Sequence, residues 1–598
     1  MYALAVGGML RGGRETEIPA LSSIGGTLMN AKNRFSYPNL RCLLVAGFLV
    51  TFTAARPARG APTNVAFSQS AETIEAYDFV EITLNVTSPD AMNPFTDAVV
   101  AGEFGKAGDT KRLPVDGFCD SPDGSVFRIR FMPAAPGDYA YSVAYRQGGY
   151  EQNHTGTFRV TDAHRRGPIR VDPQYPWHFI WEGTGEHYFF NGTTAYWLVG
   201  WRDDRIINAS IERLHQLKIK RMRVLLAGAA DMFWGEAVMT GENFTMYLRP
   251  WIAKDPENIG NPGNDFTRFD IPYWQKWERM LRFARERDMI VSTVLDISTH
   301  HAQAAAGSDD ERRYFRYAVA RLGAFSNITY DLGDDLDSFR DEKWAHETGT
   351  LIESWDPYKH LASSHPVFRE HQDRASDWFG FTSIQNWSRR QHTLMIEERQ
   401  IQMKTGRIIP QTNEEYGYED HYPMWAPAPP GDSAETLRRV AWDIAMAGAY
   451  GTTAESARRG TNVWPDTGGG WINGRGDDTM VMLKGYGHMV DFFSSFEWWK
   501  TEPHDELVNG GAYCLAKPGE IYAVYIPVRP LCGNGEHYGY EQECGDITIR
   551  LQPGTYEAKW FGASTGEIVP LPPVQGPVWK IPHPPSLLDW ALLLEKRH

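Results

Sequence analysis

Apolar and polar residues alternate along short segments in the first part of the chain. Between about residues 65 and 162, segments 80–86 and 139–145 carry an apolar side chain at nearly every second position. This period of two is that of a β-strand with one buried face. Turn residues such as those at 135–138 separate the segments. The pattern therefore predicts a β-sandwich over residues 62–163.

The pattern changes over residues 170–502 to a β-rich run followed by a helix, repeated along the segment. Eight such steps are counted, and eight is the number that closes a parallel (β/α)8 barrel. The predicted strands are 188–191, 221–226, 289–295, 327–330, 360–364, 379–384, 407–409 and 452–455. The clearest helices are 211–217, 273–287, 312–325 and 434–449.

Strands return without helices after residue 502, at 521–525, 546–551 and 554–560. A second small β-sandwich is therefore predicted over residues 503–598. The predicted fold class is α/β, with a TIM barrel at its centre. An N-terminal and a C-terminal β-sandwich domain flank this barrel.

Residues 1–61 have the features of a leader. A basic stretch at 29–41 precedes an apolar run at 42–55, and small residues follow at 58–61. This order predicts a secretory signal peptide cleaved near Gly60 or Ala61, and the apolar run is too short for a good transmembrane helix. We expect a secreted protein, extracellular or periplasmic, with no membrane span.

Charge and composition narrow the range of partners. The formal net charge of −15 argues against nucleic acid and for a neutral or weakly charged substrate. Aromatic residues make up 13% of the chain, with 21 Trp, so some are expected in the core and others on surfaces that stack against sugar rings. Cys532 and Cys544 could close a loop as a disulfide. Cys119 and Cys514 are expected to be small buried hydrophobic residues.

Two acidic pairs follow predicted barrel strands, Asp334-Asp335 after the fourth and Glu414-Glu415 after the seventh. Catalytic groups lie at the C-terminal ends of barrel strands, and two carboxyl groups brought together there can hydrolyse a glycosidic bond. Because neighbouring strand side chains point to opposite faces, one residue of each pair is expected to face the pocket. We expect Asp335 to be the general acid/base and Glu415 the nucleophile. The alternative is that each pair caps a helix or lies in a solvated loop.

Other residues at the same end of the barrel are expected to contact substrate. Arg223, on the second strand, would be costly to bury unpaired, so it is expected to bind a catalytic carboxylate, with a plain structural ion pair as the alternative. His300 and His365 follow the third and fifth strands, and Trp387 and Trp471 are the strongest candidates for stacking on sugar. No His-Glu-x-x-His pattern or metal-type cysteine spacing occurs, so no metal and no cofactor is expected.

With these motifs the chain resembles the apiosidase-like glycoside hydrolases of the large retaining (β/α)8 clan. The resemblance extends over nearly the whole mature chain. Segments 93–95 and 136–139 are similar to the sandwich module that often precedes such barrels. Segments 522–525 and 560–566 are similar to a β-sandwich of the collagen-binding type.

The resemblance implies roles for the two acidic pairs. In this branch the fourth strand often ends in Asp, so Gly333-Asp-Asp335 implies that Asp335 is the acid/base. Asp334 stands where the clan has an Asn that contacts the sugar 2-hydroxyl, and it joins the expected substrate-binding residues. The motif Glu415-Tyr-Gly-Tyr-Glu419 matches the end of the seventh strand. It implies Glu415 rather than Glu414 as the nucleophile and adds Tyr416 to the substrate-binding residues. Arg223 and the segment 364–366 match the clan's second and fifth strands.

The sequence therefore predicts a secreted glycoside hydrolase that cleaves plant or microbial oligo- or polysaccharide by a retaining double displacement. The alternative is a non-catalytic carbohydrate- or matrix-binding protein built on a dead barrel. Such a protein need not keep Asp335, Glu415 and Arg223 together. A collagenase is disfavoured because the metalloprotease motif is missing.

Overall fold

The computed structural model describes most of the chain beyond the predicted leader. The described residues are 62–229, 243–245, 247–256, 258, 261–296, 303–419, 433–455, 482–527 and 546–597. The predicted signal peptide, His300, Trp471, and the pair Cys532 and Cys544 lie outside the described residues. Cys119 and Cys514 are both free and buried, which confirms the prediction for these two residues.

The N-terminal domain is a sandwich of two β-sheets. Its elements are β1 (Asn64–Gln69), β2 (Thr73–Glu75), β3 (Val80–Thr87), α1 (Pro94–Asp97), β4 (Ala98–Lys106), β5 (Leu113–Asp116), β6 (Phe118–Cys119), β7 (Val126–Phe131), β8 (Gly137–Gln147) and β9 (Tyr150–Thr161). The sheets have the orders β1-β3-β7-β6 and β2-β9-β8-β4-β5. Phe104 of one sheet stacks on Phe131 of the other, with ring centroids 4.8 Å apart. This contact lies in the apolar core that the period of two predicted.

A parallel eight-stranded barrel sheet forms the middle of the chain. Its strands are β13 (Asn191–Thr194), β14 (Arg221–Leu225), β19 (Ile290–Val294), β20 (Ile328–Asp334), β21 (Ala362–His365), β22 (Ile384–Gln385), β23 (Thr412–Glu415) and β25 (Tyr450–Glu455). The order is β21-β20-β19-β14-β13-β25-β23-β22. A single parallel bridge between Ala362 and Phe379 joins the two ends. The predicted TIM-barrel fold class is confirmed.

Shorter strands accompany the barrel. They are β10 (Ile169–Val171), β11 (Phe179–Trp181), β12 (His187–Tyr188), β15 (Gly228–Ala229), β16 (Tyr247–Leu248), β17 (Trp251–Ala253), β18 (Asn264–Phe269) and β24 (Tyr418–Glu419). β24 pairs with the end of β25 and so extends the barrel wall beyond β23.

Helices follow most of the barrel strands. They are α2 (Asp204–Gln216), α3 (Ile271–Arg285), α4 (Asp309–Leu322), α5 (Glu342–Trp355), α6 (Gln391–Met403), α7 (Ala434–Met446) and α8 (Met482–Phe493). Local signals start several of them: Asp270 caps α3 by accepting a hydrogen bond from the backbone of Tyr273, next to a proline in the first turn. The connection from β21 to β22 has no α-helix and contains only the 3-10 turn Arg369–His371.

The C-terminal domain contains a six-stranded sheet and a two-stranded sheet. Its strands are β26 (Glu502–Pro503), β27 (Tyr513–Lys517), β28 (Ile521–Ile526), β29 (Thr548–Arg550), β30 (Thr555–Gly562), β31 (Ile568–Gln575), β32 (Val578–Lys580) and β33 (Trp590–Lys596). Trp442 of α7 stacks on Tyr525 with ring centroids 5.1 Å apart, and Arg438 forms a buried ion pair with Asp589. The domain is therefore packed directly on the barrel. Within the described residues, no helix combines the length and apolarity needed to cross a membrane.

Three barrel strands begin at least three residues later than predicted, and the sixth, predicted at 379–384, is only Ile384–Gln385. The run at 188–191 is apolar because its aromatic rings pack together: Phe190 stacks on Phe179 at 5.2 Å and lies 4.5 Å below the guanidinium of Arg221. The first strand starts only at Asn191. The seventh strand starts at Thr412 rather than Arg407, since Pro410 has no N–H to give to the sheet. The later start of the seventh strand places both Glu414 and Glu415 inside it.

A buried ion-pair network joins the N-terminal sandwich to the barrel. Glu278 of α3 accepts from Arg130 of β7 at 2.8 Å and from Arg321 of α4 at 2.5 Å. Arg130 also binds Glu81 at 2.7 Å, and Arg321 also binds Asp120 at 2.6 Å. The two arginine side chains are at most 2% exposed, so each depends on these carboxylates to offset its desolvation.

Replacing Glu278 by Ala should destabilise the protein strongly, because it leaves two buried guanidinium groups with one fewer counter-charge each. We expect the free energy of unfolding to fall by about 3–5 kcal/mol, measured by denaturant unfolding. Glu347→Ala is the control, since Glu347 pairs with Lys343 on the surface at 3.6 Å and should change stability by less than about 1 kcal/mol. Equal effects of the two substitutions would contradict the proposed importance of this network.

Candidate active site

Polar side chains from five of the barrel strands meet at the C-terminal end of the barrel. β14 contributes Arg223, β20 contributes Asp334, β21 contributes His365, β22 contributes Gln385 and β23 contributes Glu415. All these strands are parallel, so their C-terminal ends lie on one face of the barrel. The site is therefore built from residues that are far apart in the chain.

Arg223 is the central cation of this site and is fully buried. Its Nη2 lies 3.1 Å from Asp334 and 3.4 Å from Asp331. Its Nη1 donates to the hydroxyl of Tyr196 at 3.0 Å, and that hydroxyl donates to Asp334 at 2.6 Å. Arg223 and Tyr196 together hold the Asp334 carboxyl group in place.

Glu415 is surrounded by hydrogen-bond donors. Tyr418 and Trp387 donate to its carboxylate, and the Gln385 amide approaches it at 3.4 Å. Burial raises the pKa of Glu415, while Arg223 and these donors oppose the rise. Donors that bind an ionised carboxylate favour its charged form. The surroundings therefore suit a carboxylate that must carry negative charge.

Asp335 has the opposite surroundings. Burial raises its pKa well above the ordinary range, and the nearby carboxyl groups of Asp334, Glu415 and Asp337 raise it further. The backbone of Asp335 is left-handed, with φ 50° and ψ 39°, a conformation that Asp adopts more readily than most residues. Asp335 is only partly buried by solvent exposure, as a group that meets a ligand must be. Its surroundings suit a carboxylic acid that keeps its proton at neutral pH.

The two acidic pairs behave differently. In the second pair, alternation along β23 turns Glu414 into the barrel interior, where it binds Arg221 at 2.6 Å and both side chains are 0% exposed. Burial opposes ionisation of Glu414, but Arg221 and Arg223 more than offset this and lower its pKa. In the first pair alternation fails, because the strand ends at Asp334 and the left-handed backbone turns Asp335 to the same site. This corrects the expectation that only one residue of that pair faces the pocket.

Asp331 is a site residue that the sequence reasoning missed. It is fully buried on β20, and burial raises its pKa to about 7, although the neighbouring Arg223 opposes this rise. We define the carboxylate cluster as Arg221 and Arg223 together with Asp331, Asp334, Asp335, Glu414 and Glu415. Full ionisation would leave three negative charges in excess, which a buried site cannot hold cheaply. Protons on Asp331 and Asp335 reduce this excess.

His365 is neutral at physiological pH. Burial, together with the nearby Arg223, lowers its pKa to about 3. Its Nδ1 lies 2.9 Å from the Ser383 hydroxyl, and its Nε2 lies 3.5 Å from Glu415 and 3.6 Å from Asp334. The imidazole therefore lies between the two carboxylates without adding charge to the site.

A metal ion fits this site poorly. Asp334, His365 and Glu415 each offer a ligand atom within 4.8 Å of the others. However, the Arg223 guanidinium already lies 3.1 Å from Oδ1 of Asp334. A cation held there would be repelled by that fixed positive charge.

The aromatic residues predicted to bind substrate differ in their exposure to solvent. Trp387 is 38% exposed, and its ring meets Tyr418 edge to face at 5.2 Å, close to Glu415. Tyr416 is fully buried and packs on Gly451, so the prediction that Tyr416 contacts substrate is not supported. Tyr418, two residues later in the same motif, lies against Glu415 instead.

The comparisons with known proteins agree with this geometry. Residues 230–454 match the family model of the apiosidase-like catalytic domain. The barrel resembles an apiosidase-like catalytic domain. This confirms the resemblance that the sequence motifs indicated. Residues 73–146 match a domain of unknown function, DUF5060, which lies in the N-terminal sandwich. No curated protein sequence matches the chain significantly.

Solved structures of glycoside hydrolases share the architecture. A protein from Bacteroides vulgatus described as a candidate glycoside hydrolase aligns with 88% of this chain and 100% of its own, with a TM-score of 0.67 at 19% identity. A glycoside hydrolase family 5 protein from the same species aligns with 72% of this chain and 93% of its own, with a TM-score of 0.54 at 14% identity. At these identities the likeness concerns the fold.

The two adjacent glutamates should respond differently to the same substitution. Glu414→Gln removes the charge that balances the buried Arg221, so we expect the free energy of unfolding to fall by about 3–5 kcal/mol. Glu415→Gln should leave stability unchanged or raise it. Because burial raises the pKa of Glu415 above its unfolded value, its charge at neutral pH opposes folding.

Denaturant unfolding of both variants at neutral pH measures this contrast. Each variant serves as the isosteric control for the other. Greater destabilisation by Glu415→Gln than by Glu414→Gln would contradict the assignment of Glu414 to the interior and Glu415 to the site.

Proposed function

We propose that this protein is a retaining glycoside hydrolase with Asp335 as the acid/base and Glu415 as the nucleophile. One observation carries the proposal: two carboxyl groups share the mouth of a barrel in unequal surroundings. Burial raises the pKa of both, but like charges raise that of Asp335 further, whereas Arg223 and hydrogen-bond donors oppose the rise at Glu415. Paired carboxyl groups that differ in this way can divide acid and nucleophile between them.

The first step forms a glycosyl-enzyme. Glu415 attacks the anomeric carbon of the sugar, and the bond from that carbon to the leaving oxygen breaks. Asp335 gives its proton to that oxygen, so the leaving group departs as a neutral alcohol. Asp335 is then ionised, close to the now neutral ester of Glu415.

The second step releases the sugar. Asp335 takes a proton from a water molecule, whose oxygen attacks the anomeric carbon and displaces the Glu415 carboxylate. Asp335 is protonated again and Glu415 is ionised again. Each step moves one negative charge between the two carboxyl groups, which Arg223 and the surrounding donors can accommodate without changing the charge of the site.

The separation of the two catalytic carboxyl groups distinguishes retention from inversion. Oxygen atoms of Asp334 and Glu415 lie within 4.8 Å of each other, and Asp335 directly follows Asp334. Retaining enzymes hold their carboxyl groups about 5–5.5 Å apart, whereas inverting enzymes separate them by about 6.5–9.5 Å to admit a water molecule. The anomeric configuration of the first product, followed by NMR, tests this part of the proposal.

The proposed substrate is a neutral plant or microbial oligo- or polysaccharide. The exposed ring of Trp387 beside Glu415 suits stacking on the sugar that is attacked. The predicted signal peptide supports secretion, where such polysaccharides occur. A panel of 4-nitrophenyl glycosides that includes β-apiofuranoside, α-arabinofuranoside and the common pyranosides would identify the sugar.

Replacing Asp335 by Asn should slow substrates with poor leaving groups far more than those with good ones. The acid is needed only when the leaving oxygen must be protonated, so we expect a loss of about 10²–10⁴-fold in kcat/KM on a disaccharide. On the matching 4-nitrophenyl glycoside the loss of the glycosylation rate should be much smaller. Steady-state and single-turnover kinetics on the two substrates measure this difference.

Glu415→Gln is the matched control, because a nucleophile is needed for every leaving group. It should abolish turnover of both substrates. An equal loss on both substrates in Asp335→Asn would remove Asp335 from the acid role. The absence of any hydrolysis by the wild type would instead favour a carbohydrate-binding protein on a dead barrel.

A further inference from the structure

The connection between β21 and β22 presents an aromatic ring to solvent beside the candidate site. Residues 366–371, which we call the 366–371 arm, follow directly after His365. Phe368 is 57% exposed and Val367 is 38% exposed. The arm stands where the other barrel connections lead towards a helix. More than half of this apolar side chain stays in contact with water, so its surface is available to a ligand.

The arm is fixed to the segment that carries Asp335. Asp337 lies in the 3-10 turn Leu336–Ser338 and accepts hydrogen bonds from the backbone of Val367 at 2.8 Å and of Phe368 at 3.0 Å. The Asp337 carboxylate also pairs with Nδ1 of His371 at 3.0 Å. One carboxylate therefore holds both ends of the arm, two residues after the proposed acid.

The base of the arm is fixed to the barrel as well. The side chain of Gln372 forms two hydrogen bonds with the backbone of Ser383, at 2.8 and 3.0 Å. The hydroxyl of Ser383 in turn contacts His365 at 2.9 Å. Arg369 binds Glu398 of α6 at 2.9 Å. The backbone of the arm is thus set before any ligand arrives, which lowers the entropy cost of binding.

Within the described residues, the ring of Phe368 has one aromatic neighbour. His371 meets it edge to face, with ring centroids 5.6 Å apart. This contact supports the ring from within the arm and leaves more than half of the side chain exposed. A rigid aromatic ring with an open surface is the usual platform for the apolar face of a sugar.

The strand order divides the site into two sides. β21, which leads into the arm, is the neighbour of β20, which leads into Asp335. β22, which leads to Trp387, is the neighbour of β23, which carries Glu415. Trp387 therefore lies on the side of the nucleophile Glu415, and Phe368 lies on the side of the acid Asp335. The acid protonates the leaving oxygen, so the leaving group must lie on the acid's side.

We propose that Phe368 is the stacking platform for the leaving-group sugar, held in place by Asp337. This inference rests on the proposed hydrolase function and adds the position of the residue that selects the leaving group. A substrate whose leaving group is a sugar ring uses this platform, and a substrate whose leaving group has no ring does not. The same platform receives an acceptor sugar when the glycosyl-enzyme is attacked by a sugar rather than by water.

Replacing Phe368 by Ala should therefore affect substrates according to their leaving group. The two probes are the glycosyl fluoride of the sugar that the wild type hydrolyses best and the disaccharide that links the same sugar to glucose. We expect kcat/KM for the disaccharide to fall about 5- to 10-fold, from the loss of one stacking contact. For the fluoride we expect a change of less than about 2-fold. Phe368→Trp and Phe368→Tyr should restore hydrolysis of the disaccharide.

Val367→Ala is the matched control, since it shortens the neighbouring exposed side chain of the same arm without removing a ring. It should leave both substrates unchanged, and thermal unfolding of each variant should match the wild type. Equal losses on the disaccharide and the fluoride, or no loss on either, would overturn the platform while leaving the hydrolase proposal intact. Failure of the wild type to hydrolyse any glycoside would overturn both.

Discussion

The structure depends on the burial of more carboxyl groups than cations at one end of the barrel. In the carboxylate cluster, two guanidinium groups face five carboxyl groups within the described residues. Arg221 neutralises Glu414, and Arg223 neutralises Asp334. The remaining charge must be removed by protons or spread over hydrogen-bond donors, because an unpaired buried charge is expensive.

This constraint assigns the roles at the site. Asp331 and Asp335 have raised pKa values, so these two groups bind protons more readily than ordinary carboxyl groups. Glu415 has the donors and can carry the one charge that is left. A mobile proton on one carboxyl group and a free charge on another are the two things that a double displacement needs. The chemistry that we propose is therefore a consequence of the charge balance of the barrel interior.

Much of this architecture could be predicted from the sequence, and the failures have physical causes. Strand periodicity identifies both sandwiches and the barrel, since burial of one face fixes that pattern. The first and seventh barrel strands were misplaced, because an apolar run can also be aromatic packing, as at Phe190, and because Pro410 delays the sheet. Asp331 was missed because its role comes from contacts with Arg223 on another strand.

At the candidate site, too, strand alternation predicts some side-chain directions and fails for others. Alternation along a strand places Glu414 and Glu415 on opposite sides, whereas a single left-handed residue at Asp335 cancels alternation in the first pair. Tyr418 rather than the predicted Tyr416 lies against Glu415 for the same kind of reason. The chain turns after β23, and the motif alone does not reveal this turn. Short-range patterns predict which elements form. The direction of a side chain at the end of an element depends on tertiary contacts.

Trapping of the glycosyl-enzyme tests the central claim most directly. The protein would be incubated with the 2-deoxy-2-fluoro glycosyl fluoride of its preferred sugar, digested and examined by mass spectrometry. The account predicts one added sugar per chain, attached to Glu415, and no adduct in Glu415→Gln. An adduct on Glu414 or Asp334, or rapid turnover of other substrates without any adduct, would contradict it.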